Sequence, residues 1–301
     1  MDAYERMFGS KPKEAKVPSE KKDHPELDTT PELDDEGRTK YMSLIGALQW
    51  LISLGRFDIM HAVVSLSRFR AAPREGHLER VKQIYGYLKK NKTAAVRYRT
   101  GLPDYGMLKQ QNYDWMYQVY GKVREEIPNN APEPLGNVVR TSTWVDANLM
   151  HDLITGRSCT GILHFLNQTP IDWFSKKQSI VHTATFGTEF VAARQATEQI
   201  ADLRYSLRML GVPLKGASYL FGDNQSVITN STIPHSKLGK RWYALAYHKV
   251  REAVASGMIK FYYVKSEFNV ADILTKSTGF QTFWPLVKPM LFWSGDTKLA
   301  K

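Results

Sequence analysis

Cysteine is almost absent from this 301-residue chain, with Cys159 as its single representative. No internal disulfide and no cysteine-rich zinc site can be built from it. An apolar leader is missing too, since Met1-Asp2-Ala3-Tyr4-Glu5-Arg6 offers no signal-peptide core. Long hydrophobic runs are also lacking. The longest apolar stretch, residues 44–54, is broken by Gln49 and Ser53. It is too short to span a bilayer and reads as a buried helix. The expected home is therefore cytosol or nucleus, with no membrane as partner. Negative charge is in the minority: 41 Lys and Arg against 30 Asp and Glu leave a formal net charge of +11. That excess suits a polyanion, either nucleic acid or an anionic surface, although a basic balance alone is a weak signal.

What is present is enough for one large domain or two small ones: 43% of residues are hydrophobic and 24% charged. Residues 1–39 are polar, basic first and acidic after, with scattered prolines, and are expected as a disordered or extended arm. Residues 40–100 carry helical periodicity. Leu44, Leu48, Leu51 and Ile52 form one block, Ile59, Val63, Leu66 and Phe69 a second, and Leu78, Val81, Ile84, Tyr85 and Leu88 a third. Its many Lys and Arg residues either track a phosphate backbone or solvate a helical bundle. Residues 101–138, with Pro103, Pro128, Pro132 and Pro134, read as a linker or insertion with one short helix near 115–123.

From residue 139 the pattern changes. Strands are expected over residues 138–145, 159–166, 171–176, 217–221 and 259–264. A long helix is expected over 185–210, stopped by Gly211 and Pro213, another after Asp223, a third over 242–256, and a last one capped by Asn269. No internal repeat is visible. The fold class is α/β, over residues 139–280, followed by a carboxy-terminal tail at 281–301.

Within this region the informative acids lie at element ends. Asp146 follows the first strand, Asp223 leaves the fourth, Glu189 sits in the first turns of the long helix, and Asp272 opens the last helix. Each has an ordinary local explanation, such as an N-cap or helix-dipole compensation. Their joint order is what points to a site. Carboxylates crowded together stay ionised only beside a cation, and hard oxygen donors without His or Cys select magnesium or manganese. Two such ions about 4 Å apart clamp a scissile phosphate and activate water, which is phosphodiester hydrolysis.

The segments Trp144-Val145-Asp146-Ala147-Asn148, Asp172-Trp173-Phe174-Ser175-Lys176-Lys177-Gln178, Thr188-Glu189-Phe190, Asp223-Asn224-Gln225-Ser226, Tyr247-His248-Lys249 and Ala271-Asp272-Ile273-Leu274-Thr275-Lys276 together resemble the ribonuclease H domain of copia-type retrotransposon polyproteins. Upstream, Tyr41-Met42-Ser43-Leu44-Ile45-Gly46 and Arg56-Phe57-Asp58-Ile59 resemble the connection at the end of the same family's reverse transcriptase. The resemblance implies a ribonuclease H-like fold, a five-stranded mixed sheet in the order 3-2-1-4-5 flanked by helices and preceded by a small helical region. It also implies an RNA/DNA hybrid substrate, cleavage of the RNA strand with two magnesium ions that manganese can replace, and an upstream polymerase domain as partner. Asp146, Glu189, Asp223 and Asp272 match the family's catalytic metal ligands. Three positions depart from the family: Asn148 stands where a second aspartate is common, Val270 where proline is usual, and residues 265–269 lack the loop histidine of cellular relatives. Substrate contacts are expected from Ser175, Lys176, Lys177, Asn224, Gln225, Lys237, Lys240 and Arg241. His248 is expected to be packed inside its helix. An inactive nucleic-acid-binding scaffold and a DNA-cutting transposase-like nuclease are the rival readings.

Overall fold

The computed structural model describes residues 2–106, 108, 116–233, 238 and 241–293. Lys237 and Lys240, expected at the substrate, lie outside the described residues, as does Trp115 of the expected linker helix. The elements run α1 (Asp2–Phe8), α2 (Asp35–Ser53), α3 (Met60–Ser67), α4 (Glu75–Lys90), β1 (Ala95–Val96), α5 (Met116–Tyr120), β2 (Thr141–Asn148), β3 (Arg157–Leu166), β4 (Thr169–Val181), α6 (Thr185–Met209), β5 (Ser218–Gly222), α7 (Gln225–Thr232), α8 (Ala244–Ala255), β6 (Ile259–Tyr263), α9 (Phe280–Val287) and β7 (Leu291–Phe292). No helix among the described residues is long and apolar enough to cross a membrane.

The main sheet has the order β4-β3-β2-β5-β6. Strands β2, β3 and β4 are antiparallel neighbours, whereas β5 joins β2 and β6 joins β5 in parallel. Counting only these five strands, the order is 3-2-1-4-5, as the resemblance implies. The sheet is apolar on both faces. On one, Val145, Ala147, Ile162 and Leu220 pack against Phe190, Ala193, Ala196 and Ile200 of α6 and Val250 of α8. On the other, Leu163 and Phe165 join the helices upstream, and Leu44, Leu48, Phe57, Val63 and Ile84 share a single cluster with them. The helical region and the sheet are thus halves of one core. Arg56 fastens the turn between α2 and α3: its guanidinium donates two hydrogen bonds to Asp58, at 2.9 and 2.8 Å, and Tyr87 Oη donates to the same carboxylate at 2.7 Å.

The amino-terminal segment, expected as a disordered or extended arm, opens with α1 and runs into α2 at Asp35, and the irregular stretch between them is docked. Tyr4 and Val17 are buried, Tyr4 packs on Tyr85, and Arg80 of α4 pairs with both Asp23 and Asp28. Gly86 is what admits it, because a Cβ there would lie 2.0 Å from the Lys13 carbonyl oxygen. At the other end, Phe283, Leu286 and Val287 of α9 are buried in the same cluster as the upstream helices.

Three boundaries differ from expectation for identifiable reasons. Asp146 lies inside β2 rather than beyond it, because β3 runs on to Arg157 and keeps the ladder paired through Asn148. Strand β4 runs well past the expected end, to Val181, since β3 pairs with it from Leu166 back to Arg157. The last expected helix is a 3-10 turn, Val270–Leu274, capped by Asn269 as expected. Its Leu274 carbonyl accepts a hydrogen bond from Ser175 Oγ at 2.6 Å, which ties the end of the turn to β4.

Candidate metal centre

Asp146, Asp223 and Asp272 arrive from three elements. Asp146 projects from the middle strand of the sheet, Asp223 follows the end of its parallel neighbour β5, and Asp272 sits on the 3-10 turn. That turn is tied to β2 by Asn269, whose Nδ2 donates to the Val145 carbonyl at 3.0 Å. The close seat is made by Gly161, directly opposite Asp146 in β3. A Cβ on Gly161 would lie 2.6 Å from Thr275 Cγ2 and 3.0 Å from the Ala271 carbonyl oxygen. As a result, one carboxylate oxygen from each of the three aspartates falls within 4.8 Å of the others. Glu189, from the first turns of α6, is buried beside them but does not belong to that mutual group.

The electrostatics agree with the geometry. Burial pushes the Glu189 carboxyl well above its ordinary range, and the charges of Asp146 and Asp223 push it further. Burial likewise raises Asp272 to about 7, with Asp146 adding to the effect and Lys276 opposing it. Asp146 is raised by burial and by Asp223, against the pull of Lys276 and Thr275. Buried acids this close resist ionisation together unless a cation is supplied. All of the donors are hard oxygens, and the set fits a divalent ion such as magnesium or manganese.

Two neighbours complete the site, and sequence reasoning assigned neither a role. Thr275 Oγ1 donates to Asp146 Oδ2. Lys276 Nζ lies 2.9 Å from Asp272 Oδ1 and 3.3 Å from Asp146 Oδ2. Burial alone would lower the Lys276 pKa, but Asp146 and Asp272 more than offset it and raise it. The spacing Asp272 to Lys276, four residues, is the sequence signal that was available. Asn148 also acquires a role: its Nδ2 donates to the Thr275 carbonyl at 3.2 Å, which an aspartate there cannot do.

The expected substrate residues divide. Ser175 is buried and bonded to Leu274, and so turned away from any ligand. Lys177 is committed to Asp152 at 2.8 Å, alongside Arg68 at 2.5 Å. Asn224 caps α7 through the Val227 N–H. Gln225, Lys176 and Arg241 are exposed. Lys176 and Arg241 come together on a groove of about 1120 Å³, with Arg194, Gln178, Trp242 and Leu245. Trp242 is 92% exposed. Gln178 links this groove to the centre by donating to Thr160 Oγ1 and to the Thr188 carbonyl, beside Ala147's partner strand and Glu189. His248 is exposed rather than packed, with Nδ1 3.0 Å from Tyr120 Oη, because its position faces outward from α8 toward α5. Cys159 is buried, and burial lifts its thiol to about 12.

Sheet order, helix placement and acidic cluster define a ribonuclease H-like α/β protein with three aspartates placed so that they could hold a metal ion. Its homologues are retrovirus-related Pol polyproteins from plant transposons. The chain is 27% identical over 250 residues to the polyprotein of transposon RE1 from Arabidopsis thaliana, covering 81% of this chain and 14% of that protein. It is 26% identical over 248 residues to the polyprotein of transposon TNT 1-94 from Nicotiana tabacum, covering 82% of this chain and 16% of that one. The chain therefore spans about one-seventh of the length of these two relatives. No protein-family model matches it. Among solved structures, it is similar to the amino-terminal RNase H domain of a Mycobacterium tuberculosis protein, with 11% identity and a TM-score of 0.37, covering 50% of this chain and 97% of that one. A score that low carries no weight, and the fold rests on the strand order above.

Proposed function

We propose that this segment is a divalent-metal-dependent ribonuclease H that hydrolyses the RNA strand of RNA/DNA hybrids during reverse transcription of a retrotransposon. One observation carries the reading: three aspartates from separate elements bring oxygens within 4.8 Å of one another at the end of a mixed sheet. Two magnesium ions, with manganese able to replace them, would supply Lewis acidity to the scissile phosphate and its attacking water. Asp146, Asp223 and Asp272, with Glu189 buried beside them, would hold the ions. Thr275 and Asn148 fix the orientation of Asp146 and of the turn carrying Asp272. Lys176 and Arg241 face the phosphates of a duplex laid along the groove, and Trp242 offers a flat face to a base or sugar. Gln225, exposed at the start of α7 two residues after Asp223, is the polar group for contact with a 2′-hydroxyl, since the Asn224 side chain is occupied as the cap of that helix. A polymerase domain preceding this segment is the proposed partner that feeds hybrid to it.

The test is incubation of a hybrid with its RNA strand labelled, in magnesium and in chelator. The reading predicts cutting of RNA in magnesium alone, weakened binding as salt rises, and intact duplex DNA. Equal cutting of duplex DNA would move the protein to the transposase-like class. Binding without cutting would leave an inactive scaffold.

A further inference from the structure

Lys276 places an ammonium inside the carboxylate cluster. Its Nζ is 2.9 Å from Asp272 Oδ1, 3.3 Å from Asp146 Oδ2 and 3.4 Å from Asp146 Oδ1. It therefore bridges two of the three aspartates whose oxygens form the mutual group. The root of the side chain is fixed. Thr275, the residue before it, is fully buried, donates to Asp146 and receives the Asn148 amide on its carbonyl. The rest of the side chain is not sealed in, for it is 32% exposed and lies on a flexible four-carbon stem. A compact point charge on a four-carbon stem is suited to leaving such a position when a stronger cation arrives.

We propose that Lys276 is the centre's built-in counter-cation, and that it competes with a divalent ion for the Asp146–Asp272 edge. It holds these carboxylates together before metal binds and moves out to solvent as metal loads. This rests on the metal-dependent reading of the site. Its consequence is a weakened site: a divalent ion that takes the Asp146–Asp272 edge must first displace an ammonium.

The test has two arms on the whole chain. In the first, calorimetric titration with Mn²⁺ compares the wild type with Lys276→Gln and Lys276→Arg. Mn²⁺ binding by Lys276→Gln is expected to tighten about tenfold, the scale of one charge-assisted hydrogen bond, while Lys276→Arg stays near wild type. In the second, wild-type protein is labelled with a small amine-acetylating reagent, and modification of Lys276 is read by mass spectrometry. Mn²⁺ is expected to raise that labelling several-fold. The second arm stands even if the glutamine variant does not fold without metal. Unchanged or weaker Mn²⁺ binding by a folded Lys276→Gln, or labelling that Mn²⁺ leaves flat or lowers, overturns the proposal while leaving the metal centre intact. No Mn²⁺ binding by any form overturns both.

Discussion

Gly161 faces Asp146 across the β2–β3 ladder, and its missing side chain admits the turn that carries Asp272. Leu274 Cβ lies 2.9 Å and Thr275 Cγ2 2.6 Å from where a Gly161 Cβ would sit. A methyl group there pushes the turn off the sheet, at the roughly 1–3 kcal/mol typical of an overpacked site. Gly161→Ala is therefore expected to lower the melting temperature and weaken Mn²⁺ binding together, by moving Asp272 and Thr275 away from Asp146. Wild-type affinity in that variant would remove Gly161 from the account. At this scale the order of the acids along the chain pointed to four together, and the structure brings the oxygens of Asp146, Asp223 and Asp272 within 4.8 Å with Glu189 outside that group. Gly161 was not, because a glycine in a strand looks only like a weak strand residue until its distant neighbour is known. Lys276 was quoted within the resemblance, but its spacing from Asp272 was not read as a contact.

Between elements, the decisive joint is the one where α3 meets the β2–β3 connection. His61 of α3 and His151 are both buried, with ring centroids 4.9 Å apart in a T-shaped arrangement. Ser65 Oγ lies 3.4 Å from His151 Nε2. Burial lowers His61 to about 3 and His151 to about 4, from an ordinary 6.5, with neighbouring positive charge adding to both. An imidazole depressed in the folded state favours folding fully above 6.5 and loses that contribution as pH falls through its folded value. The loss is on the order of 2 kcal/mol for each ring by pH 5. Acid unfolding, followed by circular dichroism between pH 7 and pH 3, should therefore begin below about 6.5 and shift to lower pH in His61→Phe. An unmoved midpoint would show that this joint is not what acid opens. Periodicity predicted the existence of most elements here, because buried faces repeat at helix or strand spacing. It missed the true ends of β2 and β4 and the 3-10 character of Val270–Leu274, since pairing partners and contacts distant in sequence accompany those.

For the whole molecule, the upstream helices and the sheet share one core, with Leu163 and Phe165 of β3 in the same cluster as Leu44 and Val63. The composition signalled separate helical and mixed regions but not this joint burial, which depends on which sheet face the helices cover. Lys176 and Arg241 meet on one groove only after folding. The net charge of +11 favours a nucleic-acid partner without selecting a hybrid. What selects among the readings is chemistry at Asp146, the most buried of the acids. The most direct measurement is cleavage of a labelled RNA/DNA hybrid in magnesium by wild type and Asp146→Asn, with binding followed in parallel. The account predicts equal binding and a loss of cutting of roughly a hundredfold or more, as for removal of one preorganised electrostatic group. Undiminished cutting by Asp146→Asn would contradict it.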